Sequence, residues 1–151
     1  MLAYTTPPCR IADYMSTTIR SVDIDATLKE AGKLLERERV GCLLVRNGSR
    51  YIGIVTDTDL SRKAVAKGLD PTTTTVNTCM TKPLISLDQT EGMSVAIELM
   101  KEHGIRHLGV TQAETVIGIL SASGVVRYYS EMLAMVQDLA RLTTNTPGGC
   151  C

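Results

Sequence analysis

The run Tyr51-Ile52-Gly53-Ile54-Val55-Thr56-Asp57-Thr58-Asp59-Leu60 carries the residues best placed to do chemistry. Ile52, Ile54 and Val55 favour a strand, Thr56 suits a helix N-cap, and Asp59 stands three residues on, where its carboxylate reaches back to a free N–H. A helix start gathers unpaired N–H groups and positive dipole, so this corner is a ready anion site flanked by a hydroxyl and a carboxylate. The same spacing equally fits a capping box with no ligand. Catalytic signatures are missing: the chain has no G-x-x-x-x-G-K-[ST], no G-x-G-x-x-G after a strand, no G-x-S-x-G and no H-E-x-x-H. Two histidines close together, His103 and His107, make a poor metal site, so no metal and no catalytic residue is expected.

The 151 residues, 44% of them hydrophobic, suffice for one compact domain or two half-size units sharing a core. Sixteen basic residues balance sixteen acidic ones, so no basic field argues for nucleic acid. No apolar run approaches the ~20 residues of a spanning helix, and the first residues lack the layout of a signal peptide. A cytoplasmic protein with no membrane role is the expectation. The five cysteines, Cys9, Cys42, Cys79, Cys150 and Cys151, have no C-x-x-C spacing and read as free thiols. Cys79 or the terminal pair would carry any redox response.

Set against itself with residue i facing i + 65, the chain matches without gaps. Ser21 meets Ser86, Asp23 meets Asp88, Ala31 meets Ala96, Leu34 meets Leu99, and Arg62 meets Arg127, with Ile52-Gly53-Ile54 over Ile117-Gly118-Ile119. Two copies are too few for a solenoid, but each can bury the other's apolar face. The first copy, 11–70, follows a loose lead-in at 1–10 that holds Pro7-Pro8. It predicts a helical turn at Ile11–Met15, a strand at Ile19–Val22, a helix from Ala26 or Thr27 to about Arg39, a hairpin of Cys42–Val45 with Tyr51–Val55 across Asn47-Gly48, and a helix from Asp57 to about Lys67. A polar linker, 71–75, leads to the second copy at 76–130, and 131–151 forms a helical extension and tail. Val125, Tyr128, Tyr129, Met132, Leu133, Met135, Val136, Leu139 and Leu142 make a broad apolar stripe on that last helix. Core contact accounts for part of it, and the far end is open to packing on another subunit.

The repeated order strand–helix–strand–strand–helix, an α/β (α+β) class, resembles a pair of cystathionine-β-synthase (CBS) domains, the Bateman module. The resemblance covers about residues 11–130. It rests on the tandem copies, on Ala12-Asp13-Tyr14-Met15-Ser16 and Asn77-Thr78-Cys79-Met80-Thr81 opening them, on Gly104-Ile105-Arg106-His107-Leu108-Gly109-Val110, and on Gly53 to Leu60. It implies two halves packed about a pseudo-twofold axis, with two clefts that hold adenosine ligands: AMP, ADP, ATP, NAD or S-adenosylmethionine. The family pattern falls here on Gly53, Ile54, Thr56 and Asp59, where the acid would take both ribose hydroxyls. It puts the adenine against Thr17, Thr18 and Ile19, and the phosphate against Arg106 and His107 of the other half. Such modules are regulatory, usually pair as homodimers, and act on a separate effector protein when none is fused.

The repeat supplies an internal comparison. Shifted by 65, Asp59 becomes Gly124, Thr56 becomes Ser121, and Arg106 and His107 fall opposite Gly41 and Cys42. The second cleft therefore keeps a hydroxyl at Ser121 but loses both its acid and its cations, which predicts one adenosine site per chain and a weaker cleft at Ser121 and Gly124. Simpler roles stand beside these: Arg106 as a solvated strand-end charge, His107 as a buried histidine, His103 as a helix C-terminal residue favoured by the dipole. Arg106 favours a phosphate over the tail of S-adenosylmethionine, which puts AMP or ADP first; ATP needs more positive charge than these residues supply. A ligand-free dimerisation scaffold on the same fold is the rival reading.

Overall fold

The computed structural model describes residues 10–144. Pro7-Pro8, Cys9 and Cys150-Cys151 lie outside the described residues. A single turn of 3-10 helix, Ile11–Asp13, opens the chain. The first half then runs β1 (Ser21–Asp23), α1 (Leu28–Glu38), β2 (Cys42–Asn47), β3 (Arg50–Thr56) and α2 (Asp57–Asp59), which continues through Leu60–Val65 as a π-helix. The second half runs α3 (Val76–Cys79), β4 (Ser86–Asp88), α4 (Met93–His103), β5 (His107–Gln112), β6 (Thr115–Ser121) and α5 (Ala122–Thr144).

Each half is α+β with one three-stranded sheet, in which β1 runs parallel to β2 and β2 antiparallel to β3, and likewise β4, β5 and β6. The registers repeat with the sequence offset: Cys42 faces Thr56 as His107 faces Ser121, and the irregularity after Val45 recurs after Val110. Thr27 caps α1 through a reciprocal pair with Glu30, and Leu28, Ala31 and Leu35 bury its inner face. The first hairpin turns on Gly48, at φ 62°, and Ser49, one residue later than Asn47-Gly48. The segment 71–75 is docked on the first half: Thr74 O and Pro71 O accept from the Leu28 and Lys29 N–H groups at 2.9 and 3.0 Å. They satisfy donors that a helix start leaves unpaired.

The halves are joined by an exchange of their leading segments. Val76, Cys79 and Met80, which precede the second half's sheet, belong to the first half's core with Leu43, Val45 and Val55. Ile11 and Tyr14, which precede the first half's sheet, belong to the second half's core with Leu108, Val110 and Leu120. Backbone pairing seals both crossings. Thr81 and Ile54 exchange bonds of 2.8 and 3.0 Å, and Ser16 and Ile119 exchange bonds of 2.8 and 2.9 Å. Glycine is required under each crossing, because a Cβ on Gly53 would stand 2.6 Å from Thr81 O and one on Gly118 would stand 2.8 Å from Ser16 O.

The last helix only begins in the core. Val125 is buried and Tyr128 packs on Tyr14, whose hydroxyl donates to Glu131 Oε2 at 2.5 Å. That bond, followed by burial, pushes the Tyr14 pKa up to about 12. From Leu133 onward the stripe is open: Leu133, Val136, Leu139 and Leu142 are each more than half exposed. The core therefore accounts for its first turns alone.

Two glycine substitutions separate the crossing from ordinary helix propensity. Gly53→Ala is expected to lower unfolding free energy by about 1–3 kcal/mol, since the Thr81 backbone must move. Gly32→Ala, inside α1 with only Leu60 Cδ1 near at 4.0 Å, is expected to raise it by about 0.5–1 kcal/mol. Urea melts check both, and equal effects of the two would contradict the crossing as the constraint.

Candidate functional site

The β3–α2 corner is built as the sequence predicts, with Thr56 and Asp59 in a reciprocal capping box. Thr56 Oγ1 accepts from the Asp59 N–H at 3.0 Å, and Asp59 Oδ2 accepts from the Thr56 N–H at 3.0 Å and its hydroxyl at 3.1 Å. Asp59 is 8% exposed, the one buried charged side chain among the described residues. Its other oxygen, Oδ1, pairs with Lys63 Nζ at 2.8 Å. Lys63 also donates to Cys79 O at 3.1 Å and to Thr81 Oγ1 at 3.2 Å, and the Thr81 hydroxyl stands 3.5 Å from Asp59 Oδ1. Beyond the capping box that the sequence predicts, the carboxylate is thus a structural tie between the helix start and the crossing segment.

A cavity of about 480 Å³ opens over this corner. Its walls come from both halves: Ile54, Thr56 and Asp59 with Arg62 and Lys63 on one side, and His103 to His107 on the other. Arg106 Nη2 reaches across to donate to Thr58 Oγ1 at 3.1 Å. Burial, and then the neighbouring Arg106 guanidinium, hold the His107 ring below its ordinary pKa, while Asp57 pulls weakly the other way. His107 is therefore neutral near pH 7, and the positive charge of the cleft comes from its arginines and Lys63. Burial, and then Asp57, push the Cys42 thiol up to about 11, and burial raises Cys79 as well. Neither thiol is poised as a redox nucleophile.

The structure brings Ile54, Thr56, Asp59, Arg106 and His107 to one cavity, with His103 beside them. Gly53 lies beneath it as the contact for Thr81 rather than as a wall. Thr17, Thr18 and Ile19 are not among its walls, which is a correction. They follow Ser16, and Ser16 pairs with Ile119 of the second half, so the segment that reaches Ile54 and the Asp59 corner is instead the one through Thr81. Gly124 is likewise explained by packing: its N–H donates to Ser121 Oγ at 3.3 Å, and a Cβ there would stand 2.7 Å from Tyr14 O. Where the first half has Asp59 on Lys63, the second has Tyr14 edge-on to Tyr128, with ring centroids 5.2 Å apart. Arg62 and Lys63 are the wall residues that sequence reasoning missed. Their spacing of three and four after Asp59 placed them on the same helix face. Among the described residues, no three His, Cys, Asp or Glu side chains stand together as metal ligands, and no helix is long and apolar enough to cross a membrane.

Two similar half-domains with exchanged leading segments and a shared cleft define a tandem CBS architecture, and comparison with known proteins agrees. The CBS domain family profile matches residues 11–66 and 76–131. The chain belongs to the CBS-domain family. It is 29% identical over 111 residues to CBS domain-containing protein YhcV of Bacillus subtilis (strain 168), covering 74% of this chain and 79% of that one. A solved CBS-domain protein of Burkholderia ambifaria MC40-6 superposes with a TM-score of 0.71 at 32% identity, over 74% of this chain and 82% of that one. The hexameric CBS-CP12 protein of bloom-forming cyanobacteria gives a TM-score of 0.72 at 30% identity, over 78% of this chain and 66% of that one.

A pH titration tests the environment of His107. Because its folded pKa lies below the ordinary value of 6.5, the unfolded chain binds the extra proton first, and stability is lost as pH falls from about 6.5 through the folded value. The His107 ring signal is expected to titrate below 6.5 by NMR, and His107→Gln is expected to flatten stability across that window. Titration at or above 6.5 would contradict a half-buried ring under the influence of the Arg106 charge.

Proposed function

We propose that this chain is a non-enzymatic regulatory module that binds one adenine nucleotide, AMP or ADP before ATP, NAD or S-adenosylmethionine, in the Asp59 cleft. The observation that carries this reading is that a single cavity takes Thr56 and Asp59 from one half and Arg106 from the other. A ligand held by both halves binds one arrangement of them better than another, which is the requirement for a regulatory response. The chain acts in the cytoplasm, where the free thiols Cys42 and Cys79 stay reduced. It passes the response to a separate effector protein. Arg62 and Lys63 supply cationic charge beyond Arg106, which suits a second phosphate and raises ADP beside AMP.

Two observations favour the scaffold reading as the alternative. Both Asp59 oxygens already have partners within the chain, and the exposed stripe on α5 offers an apolar face. The homodimer belongs to either reading, since a second copy covers an apolar helix face with matching chemistry.

Titration calorimetry with AMP, ADP, ATP, NAD and S-adenosylmethionine, alongside light scattering, tests the reading. One nucleotide per chain is expected, with Arg106→Ala weakening it about tenfold or more, as loss of a hydrogen bond to a charged group implies. No heat from any of them would leave the scaffold, unchanged affinity in Arg106→Ala would move the site elsewhere, and a monomer would reject the dimer.

A further inference from the structure

Asp59 has little bonding capacity to spare. A carboxylate offers about four lone-pair sites, and Oδ2 is held twice by Thr56, bonds that start the helix. Oδ1 faces Lys63 at 2.8 Å and the Thr81 hydroxyl at 3.5 Å. A vicinal diol can engage this aspartate only by exchange, and Oδ1 is the oxygen that exchanges without undoing the capping box. Lys63 has room to leave, because its side chain is 39% exposed whereas that of Asp59 is 10% exposed. A released ammonium stays in cleft water rather than being buried unpaired. The join in the other half, Tyr14 edge-on to Tyr128, has no ion pair for a hydroxyl to replace.

The ammonium's alternatives are in the same cavity, where Arg62 and Arg106 stand without a carboxylate partner among the described residues. An anionic group drawn to those guanidiniums lies within the space that Lys63 also lines.

We propose that Lys63 sets the ligand specificity of this cleft: ligand hydroxyls take Asp59 Oδ1, the freed ammonium turns to the ligand's phosphate, and phosphorylated nucleosides are selected over the bare nucleoside. The inference rests on the adenine-nucleotide reading above. Adenosine displaces Lys63 and returns nothing to it, whereas ADP offers it a new partner. Release also frees Cys79 O and Thr81 Oγ1 of the crossing segment from the first half's helix. Occupancy of the cleft therefore acts on the contact that joins the halves.

Calorimetry with adenosine and ADP, on the unmutated chain, Lys63→Met and Lys63→Gln, tests this. Lys63→Met is expected to tighten adenosine about threefold to tenfold and to weaken ADP about tenfold, so that the preference for ADP collapses. Lys63→Gln keeps an N–H for Cys79 O, is expected to show the same collapse, and decides the matter if the methionine variant does not fold by circular dichroism. Equal changes for both ligands, or none, would overturn the role of Lys63 while leaving the nucleotide site standing. An unmutated chain that binds neither ligand would overturn the nucleotide reading itself.

Discussion

The exchange of leading segments is the constraint on which the molecule depends. Each sheet has only three strands, and each small core is completed by residues from the other repeat: Val76, Cys79 and Met80 in one, Ile11 and Tyr14 in the other. Burying a large aliphatic side chain contributes about 1.5–3 kcal/mol, so Ile11 and Val76, both fully buried, tie the halves together by an amount that is a large fraction of a domain's net stability of about 5–15 kcal/mol. The paired backbones at Thr81–Ile54 and Ser16–Ile119 fix the register of that exchange. The cleft follows from it, because the same crossing that seals the core lays Thr81 beside Asp59 and sets Arg106 opposite Thr58.

Symmetry of fold coexists with asymmetry of chemistry. The strands repeat residue for residue at an offset of 65, yet the equivalent joins are an ion pair on a backbone carbonyl in one half and an aromatic pair in the other. The winding of the closing helices differs as well. Leu60–Val65 is π-helical, whereas the matching stretch of α5 is regular, and a π turn of this kind is frequent at functional sites. It carries Arg62 and Lys63, the two cations that the cleft gains from its own half.

Much of this was legible in the sequence. Helix starts, hairpins and the repeat come from local chemistry: Thr27 with Glu30, Thr56 with Asp59, alternating apolar residues in the strands. The convergence of Asp59 with Arg106 in one cavity was legible only through the resemblance to CBS pairs, because periodicity within one copy does not say which residues of the other copy it meets. The misassignment of Thr17, Thr18 and Ile19 has a physical cause, since which half a leading segment packs on is a tertiary choice with no periodic signature. Gly53 and Gly118 mark the crossing, but a glycine in a strand does not name the backbone that comes near it. The ion pair of Asp59 with Lys63 was legible as well, since a spacing of four places the two on one helix face.

The most direct test of the account is a crystal structure grown with ADP. The account predicts one molecule per chain, its ribose on Asp59 Oδ1 and its phosphates toward Arg62, Lys63 and Arg106, with the space beside Gly124 still filled by Tyr14 and Tyr128. Density for ADP against Gly124, or at Asp59 with Lys63 still bonded to Oδ1, would contradict it.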